Sequence, residues 1–204
     1  MRAGIVVNVT AEDRRFNSWW HVGLDPHGIG RAAWSLARWK LSGDRSQLSG
    51  GSTIAMQLAK MLFLNGEISL RRKLDQMVIA VWLRMLFDRD AILAMYLNNA
   101  YFGDGRDGIE AAARHCFGRS VMKAPRIDLF EAAMLARSVR APSKINCNKR
   151  RADLKRQAQW LVAEMARQGY VTAEEADAAL GSSVGRQRGP KTLASRPPIS
   201  ATWR

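Results

Sequence analysis

The stretch LRRKLDQMVIAVWLRMLFDRDAILAMYLNNAYFG, Leu70 to Gly103, is the longest strongly patterned segment of the chain and reads as two helices. In its first half Leu74, Met77, Val78, Val81 and Met85 recur three or four residues apart, which places side chains on one helical face, while Ile79, Ala80, Trp82 and Leu83 fill much of the remainder. A helix apolar nearly all round is expected to be buried. Asp88 is a good N-cap for a second helix, Asp90 to Leu97, because its carboxylate can accept from backbone N–H groups that have no partner within the helix. Asn98, Asn99 and Gly103 then end that helix. The pattern predicts a core hairpin of helices, and it leaves the polar flank Arg71, Arg72, Lys73, Asp75 and Gln76 to be accounted for.

Outward from this pair, 204 residues suffice for one domain with a sizeable core. The basic side chains exceed the acidic ones by +14, so the surface seeks anions; nucleic acid, anionic lipid head groups and phosphorylated substrates are all admissible on charge alone. Part of the excess lies in residues 181–204, which carry five basic side chains, no acid and much Gly, Ser and Pro, and read as a disordered basic tail after a domain over 1–180. Cys116 and Cys147 are too few for a disulfide framework, and one Cys beside His115 is no zinc pattern. Both cysteines read as structural or incidental. The apolar piece Ile5–Val9 is far short of a signal or a membrane span and reads as one short strand at most.

Along the rest of the chain, Asp25-Pro26 is a helix start leading to about Leu41, and Ser42 to Gly51 reads as a loop. Ser52 or Thr53 can cap a helix bearing Ile54, Gln57, Leu58 and Met61, with Lys60 on a more polar side. Three pairs match capping boxes, Asp107 with Glu110, Asp128 with Glu131 and Thr172 with Glu175. Leu154, Ala158, Leu161 and Met165 suggest another amphipathic helix. Seven or eight helices and at most one strand imply an all-α fold.

Two features can carry chemistry. Glu12 stands close to Phe16, Trp19 and Trp20, and desolvation by aromatic neighbours would raise its pKa towards that of a general base; a cap or an ion pair with Arg14 or Arg15 is the plainer alternative. Gly50-Gly51-Ser52-Thr53 at a helix start forms an anion cradle, with free N–H groups, a favourable dipole and two hydroxyls. Lys60 and Arg72 or Lys73 can extend it to a diphosphate. The alternative there is an ordinary N-cap with snorkelling cations.

Taken in order, EDRRF, GGSTIAMQLAK, RRKLDQ, AILAMYLNNAYFGDGRDGIEAAARHCFG and EAAMLARSVRAPSKIN resemble the motifs of the family-51 peptidoglycan glycosyltransferases, over about Ala11 to Leu180. The resemblance implies a lysozyme-like, mainly helical fold with a small membrane-facing lobe. It implies polymerisation of lipid II onto a growing glycan chain held on undecaprenyl diphosphate, with inversion and release of the lipid diphosphate. Within it Glu12 matches the catalytic base, and Asp13, Phe16 and, near a histidine position, His21 match its neighbours. Ser52, Thr53, Gln57 and Lys60 match the second motif, Arg72 and Lys73 the basic pair of the third, and Tyr96, Asn98 and Gly103 the largely structural fourth.

The departures lie mainly in the middle. Ala55, Met56 and Met61 replace a threonine, a glutamine and an asparagine, and Gln76 stands where the family has a second functional glutamate. Gln keeps the shape and hydrogen-bonding reach of Glu but cannot act as a base, and the neighbouring Asp75 points about 100° away on a helix. The residue set expected at the reaction is therefore Glu12, Gln76 and Asp75, in an enzyme of normal or impaired activity; an impaired member would bind lipid II or cell-wall partners. The resemblance requires no cofactor, admits a divalent cation (Mg or Mn), and places the protein on the outer, periplasmic face of the cytoplasmic membrane, against an anionic bilayer and beside other cell-wall synthesis proteins. A basic helical nucleic-acid binder is a distant rival, with no recognised motif behind it, and no nucleic-acid partner is expected.

Overall fold

The computed structural model describes residues 22–42, 51–64, 69–144 and 146–185, and within them the elements are eight α-helices. α1 is Pro26–Ser42, α2 Ile54–Phe63, α3 Leu70–Leu86 and α4 Arg89–Asn99. α5 is Ile109–Phe117, α6 Leu129–Ser138, α7 Arg151–Arg167 and α8 Ala173–Gly185. The only β pairing among the described residues is two isolated bridges, Tyr101 with Asp107 and Ser120 with Arg126. The expected strand at Ile5–Val9 and most of the expected tail lie outside these residues.

Most helix starts follow from side-chain caps. Asp88 accepts from the Ala91 N–H at 2.7 Å, and Ser69 accepts from the Arg72 N–H at 3.1 Å. Asp128 and Glu131 form the reciprocal box, as do Thr172 and Glu175. The third expected box does not form. Gly108, at φ 83°, takes the N-cap of α5, where an added Cβ would lie 2.8 Å from the Asn98 carbonyl oxygen. Glu110 turns instead to the Ser120 hydroxyl and the Val121 N–H, each at 2.8 Å, and to Arg114 at 2.7 Å. Burial opposes ionisation there, but the Val121, Ser120 and Arg114 donors outweigh it and hold the Glu110 carboxyl below its ordinary value.

The apolar residues separate into two cores. One gathers α2, α3, α4 and α5 around Ile54, Met56, Leu58, Ile92, Leu93 and Tyr96; the other packs α6, α7 and α8 around Met134, Leu154, Leu161 and Met165. In the first core α2 is buried over its first two turns, with Ile54, Ala55, Met56, Leu58 and Ala59 all fully buried.

This corrects the expectation that the helix from Leu70 is the buried one. On α3 only Gln76, Ala80 and Leu83 are buried, while Leu70, Leu74, Val78, Trp82 and Met85 are between 60% and 85% exposed. The helix packs inward through a short side chain, Ala80, and through Lys73, which donates to Ser52 just before α2, so its richer apolar stripe faces outward. Periodicity identified both faces but could not rank them.

A single disulfide joins Cys116, near the end of α5, to Cys147, just before α7, across 31 residues and a Cα separation of 5.6 Å. It staples the last helix of the first core to the segment that enters the second. Closing a loop of that length removes denatured-state entropy worth about 3 to 4 kcal/mol in the chain-entropy picture. A Cys116→Ser/Cys147→Ser variant is therefore expected to lose about 3 kcal/mol in denaturant unfolding, with a larger m-value because its denatured state is less constrained. Reduction of the parent protein should reproduce that loss. Equal midpoints with and without the bridge would show that it constrains little.

Candidate functional site

The GGST turn is shaped by close backbone packing. A Cβ on Gly51 would lie 2.5 Å from the Gly28 carbonyl oxygen in the first turn of α1, so only glycine fits there. The two hydroxyls that follow then diverge. Thr53 is buried; its Oγ1 accepts from the Met56 N–H at 3.2 Å as the N-cap of α2 and donates to the Gly23 carbonyl at 2.6 Å. Its proton is thus committed to the scaffold. Ser52 Oγ accepts from Lys73 Nζ at 2.6 Å, which leaves the hydroxyl proton available to an acceptor.

Lys73 and Gln76 lie three residues apart on the inward face of α3, and Lys73 Nζ is 3.5 Å from Gln76 Oε1. Gln76 is buried, and Lys73 is half-buried. No carboxylate among the described residues pairs with this ammonium. Burial first, and the charge of Lys60 second, hold Lys73 below the ordinary lysine value. The arrangement is a cation with neutral partners only, set beside the N-terminus of α2, whose dipole also favours an anion.

A pocket of about 450 Å³ adjoins it, lined by Gln57, Lys60, Asn99, Tyr101, Arg140 and Pro142 among others. Lys60 belongs to both regions. The fully buried Tyr96 donates its hydroxyl to Gln57 Oε1 at 3.2 Å and so anchors that amide. On the far wall, Asn146 donates to the Pro142 carbonyl at 2.9 Å and to Asp104 at 3.2 Å. Gly103 fits beneath this loop at φ 95°, where an added Cβ would lie 2.6 Å from the Pro142 oxygen. The YFG turn and the RAPS segment are thereby locked together, and Arg140 reaches the pocket.

Of the residues expected at the site, Ser52, Lys73 and Gln76 meet directly, and Gln57 and Lys60 line the adjoining pocket. Arg72 sits in the first turn of α3, where its N–H is bound by Ser69, and it does not line the pocket. Asp75 is half-buried and makes no bond to Lys73. Glu12, Asp13, Phe16 and His21 lie outside the described residues. Arg140, Asn99 and Tyr101 were not singled out from sequence. For Arg140 the signal was its place in the SVRAPSKIN motif, just before a helix-breaking proline.

A divalent cation fits poorly among the described residues of this site. The groups that converge are two ammonium ions, a guanidinium, two hydroxyls and three amides, whereas magnesium and manganese favour carboxylate and water oxygens. Elsewhere Asp104, His115 and Cys147 bring possible ligand atoms within 4.8 Å of one another, but the Cys147 sulfur is bonded to Cys116. Asn148 joins Asp104 and His115 there through hydrogen bonds of 3.0 and 3.1 Å.

Comparison with known proteins agrees with the motif order. The transglycosylase family matches residues 5–166. Penicillin-binding protein 1A of Aquifex aeolicus is 37% identical over 172 residues, which cover 84% of this chain and 22% of that protein. Penicillin-binding protein 1F of Bacillus subtilis is 36% identical over 183 residues, covering 87% and 23%. The monofunctional glycosyltransferase of Staphylococcus saprophyticus is 32% identical over 176 residues, covering 84% and 62%. The chain thus spans about a fifth of the length of the penicillin-binding relatives.

The lowered pKa of Lys73 has a sign that can be measured. In the unfolded chain this lysine titrates near 10.5 and in the fold below that, so between the two values the unfolded state binds more protons and stability rises with pH. Compared with a Lys73→Met variant, the parent is expected to gain unfolding free energy as pH climbs towards 10.5. Parallel stability curves for the two proteins over that window would contradict the assignment.

Proposed function

The chain belongs to the transglycosylase family, and on that premise we propose that it is a peptidoglycan glycosyltransferase, polymerising lipid II into glycan strands. The observation that carries this is the meeting of Ser52 and Lys73, with Lys60 and Gln57 adjoining, at one helix N-terminus from motifs far apart in sequence. Glu12 takes the proton from the 4-hydroxyl of the acceptor lipid II. That oxygen attacks the anomeric carbon of the donor chain from the opposite side, a glycosidic bond forms with inversion, and the carbon–oxygen bond to the lipid diphosphate breaks. The electron pair leaves with the diphosphate, where positive charge and hydrogen-bond donors stabilise the transition state most. Lys73, Lys60, Arg140 and the free proton of Ser52 are suited to that task.

The place of action follows the same premise: the outer face of the cytoplasmic membrane, where the lipid-linked substrate and other cell-wall synthesis proteins reside. A disulfide of the Cys116–Cys147 kind persists in oxidising compartments, which supports it. Among the described residues no helix is long and apolar enough to cross a membrane. The exposed stripe from Leu70 to Met85 and the net charge of +14 favour contact with an anionic bilayer surface, as the membrane-facing lobe of the family would.

A second reading, a member that binds lipid II without polymerising it, rests on Gln76 in place of the second glutamate. Incubation with labelled lipid II separates the two. Glycan strands on a gel are expected from the parent, and Glu12→Gln should lower turnover by at least about a hundredfold, the usual worth of a general base. Unchanged turnover in Glu12→Gln would remove the base assignment, and tight binding without polymer from the parent would select the second reading.

A further inference from the structure

We propose that Asp104, His115 and Cys147 form a binding site for a thiophilic divalent cation of the zinc class, which the chain holds only while the Cys116–Cys147 bridge is open. Oxidation of the two cysteines closes the site. It does not depend on the glycosyltransferase reading.

A ligand atom from each of the three side chains lies within 4.8 Å of the other two. His115 Nε2 and Asp104 Oδ2 are 3.7 Å apart, and zinc bonds of about 2.0 to 2.3 Å in a tetrahedron set ligand atoms about 3.3 to 3.8 Å apart. Those two atoms already have metal spacing. One group lies between them, the Asn148 amide nitrogen, 3.0 Å from Asp104 Oδ2 and 3.1 Å from His115 Nε2. That nitrogen only donates, so Nε2 turns its lone pair towards it and the ring proton is on Nδ1. A carboxylate oxygen and an imidazole lone pair thus converge on one electropositive group, as they would on a cation. Asn148 is exposed and can turn to solvent when a metal takes that place.

The surrounding turns hold the ligands. Asp104 has φ 54°, a left-handed conformation uncommon outside glycine, and its other oxygen accepts from the Asn146 amide at 3.2 Å. Asn146 is buried, and its own oxygen accepts from the N–H groups of Asn148 and Lys149 at 3.1 and 2.8 Å. The carboxylate is thereby fixed to the turn that carries Cys147, the kind of outer bond that orients a metal ligand. Sulfur, imidazole and carboxylate together suit zinc, whereas magnesium prefers oxygen alone. Three protein ligands leave a fourth position to water.

With the bridge closed, the Cys147 sulfur has no thiolate to offer. A dithiol opens it by exchange: one reductant thiolate attacks a sulfur, the second closes the reductant's own disulfide, and two electrons and two protons pass to Cys116 and Cys147. Zinc then binds the Cys147 sulfur and displaces its proton. Cys116 is not one of the three clustered ligands and serves only to close the site. The same sulfur therefore belongs to the metal in the reduced chain and to the staple in the oxidised one.

Zinc and cobalt(II) titrations of the full chain test this. Reduced parent, freed of dithiol by desalting under nitrogen, and Cys116→Ser without reductant are each expected to take up one zinc per chain against a chromogenic chelator. With cobalt, both should show thiolate-to-metal charge-transfer absorption. The oxidised parent should lack that absorption and bind zinc at least about a hundredfold more weakly, beyond the usual cost of losing an outer-shell partner. His115→Ala and Asp104→Asn, each in the Cys116→Ser background, should weaken zinc binding by more than about tenfold. Asn148→Ala removes the competing donor and should leave affinity equal or higher. Melting curves confirm that the variants are folded; if Cys116→Ser is not, the same substitutions are read in the reduced parent. Equal zinc affinity in oxidised and reduced parent, no cobalt–thiolate absorption in the reduced parent, or affinity unchanged by His115→Ala would overturn the proposal.

Discussion

The first core depends on one capping residue. The first turn of α2 is fully buried, so its N–H groups cannot rely on bulk water for partners. Thr53 meets that constraint in both directions, accepting from Met56 within the helix and donating to Gly23 across the turn. Because the second bond ties down the segment before α1, and because Gly51 packs against Gly28, the start of α1 and the start of α2 are held together. The Ser52 hydroxyl is then left at the place where α3 brings Lys73.

That site is held at some expense to the fold. A half-buried ammonium next to another cation is unfavourable in the absence of ligand, as the lowered pKa of Lys73 records. The compensation is distributed. Ala80 and Leu83 pack the same face of α3 into the first core, and the disulfide ties that core to the start of the second. A second such cost sits at the far end of α3, where burial first and the charge of Arg89 second hold Arg84 below the ordinary arginine value.

Local signals in the sequence were read correctly where a single interaction decides the outcome. The caps at Asp88, Asp128 and Thr172 form as their spacing implied, since a carboxylate or hydroxyl three residues before a free N–H has few competitors. Asp107 and Glu110 have the same spacing and fail, because Ser120 and Val121, distant in sequence, offer Glu110 better donors. The outward stripe of α3 and the Cys116–Cys147 bridge were hidden for the same reason: each depends on which segments meet in space. Position 76 was legible as a departure from a motif. That Gln76 touches Lys73, and that Arg140 completes the pocket, required the folded chain.

Helix α3 finally shows why a polar flank and an apolar run belong in one segment. Lys73 and Gln76 face α2, while Leu70, Leu74, Val78, Trp82 and Met85 lie on the opposite side of the same helix, facing solvent. A substrate made of a charged diphosphate on a long hydrocarbon cannot be satisfied by either surface alone. It has to stay partly in lipid while its head group reaches a cluster of cations. A helix that presents apolar side chains outward and an ammonium inward can rest against a bilayer and still offer positive charge within a few residues of it. On the proposed function, then, the exposed stripe that would weigh against solubility in a free monomer is the counterpart of the inward lysine, and both follow from the way α3 is rotated on α2.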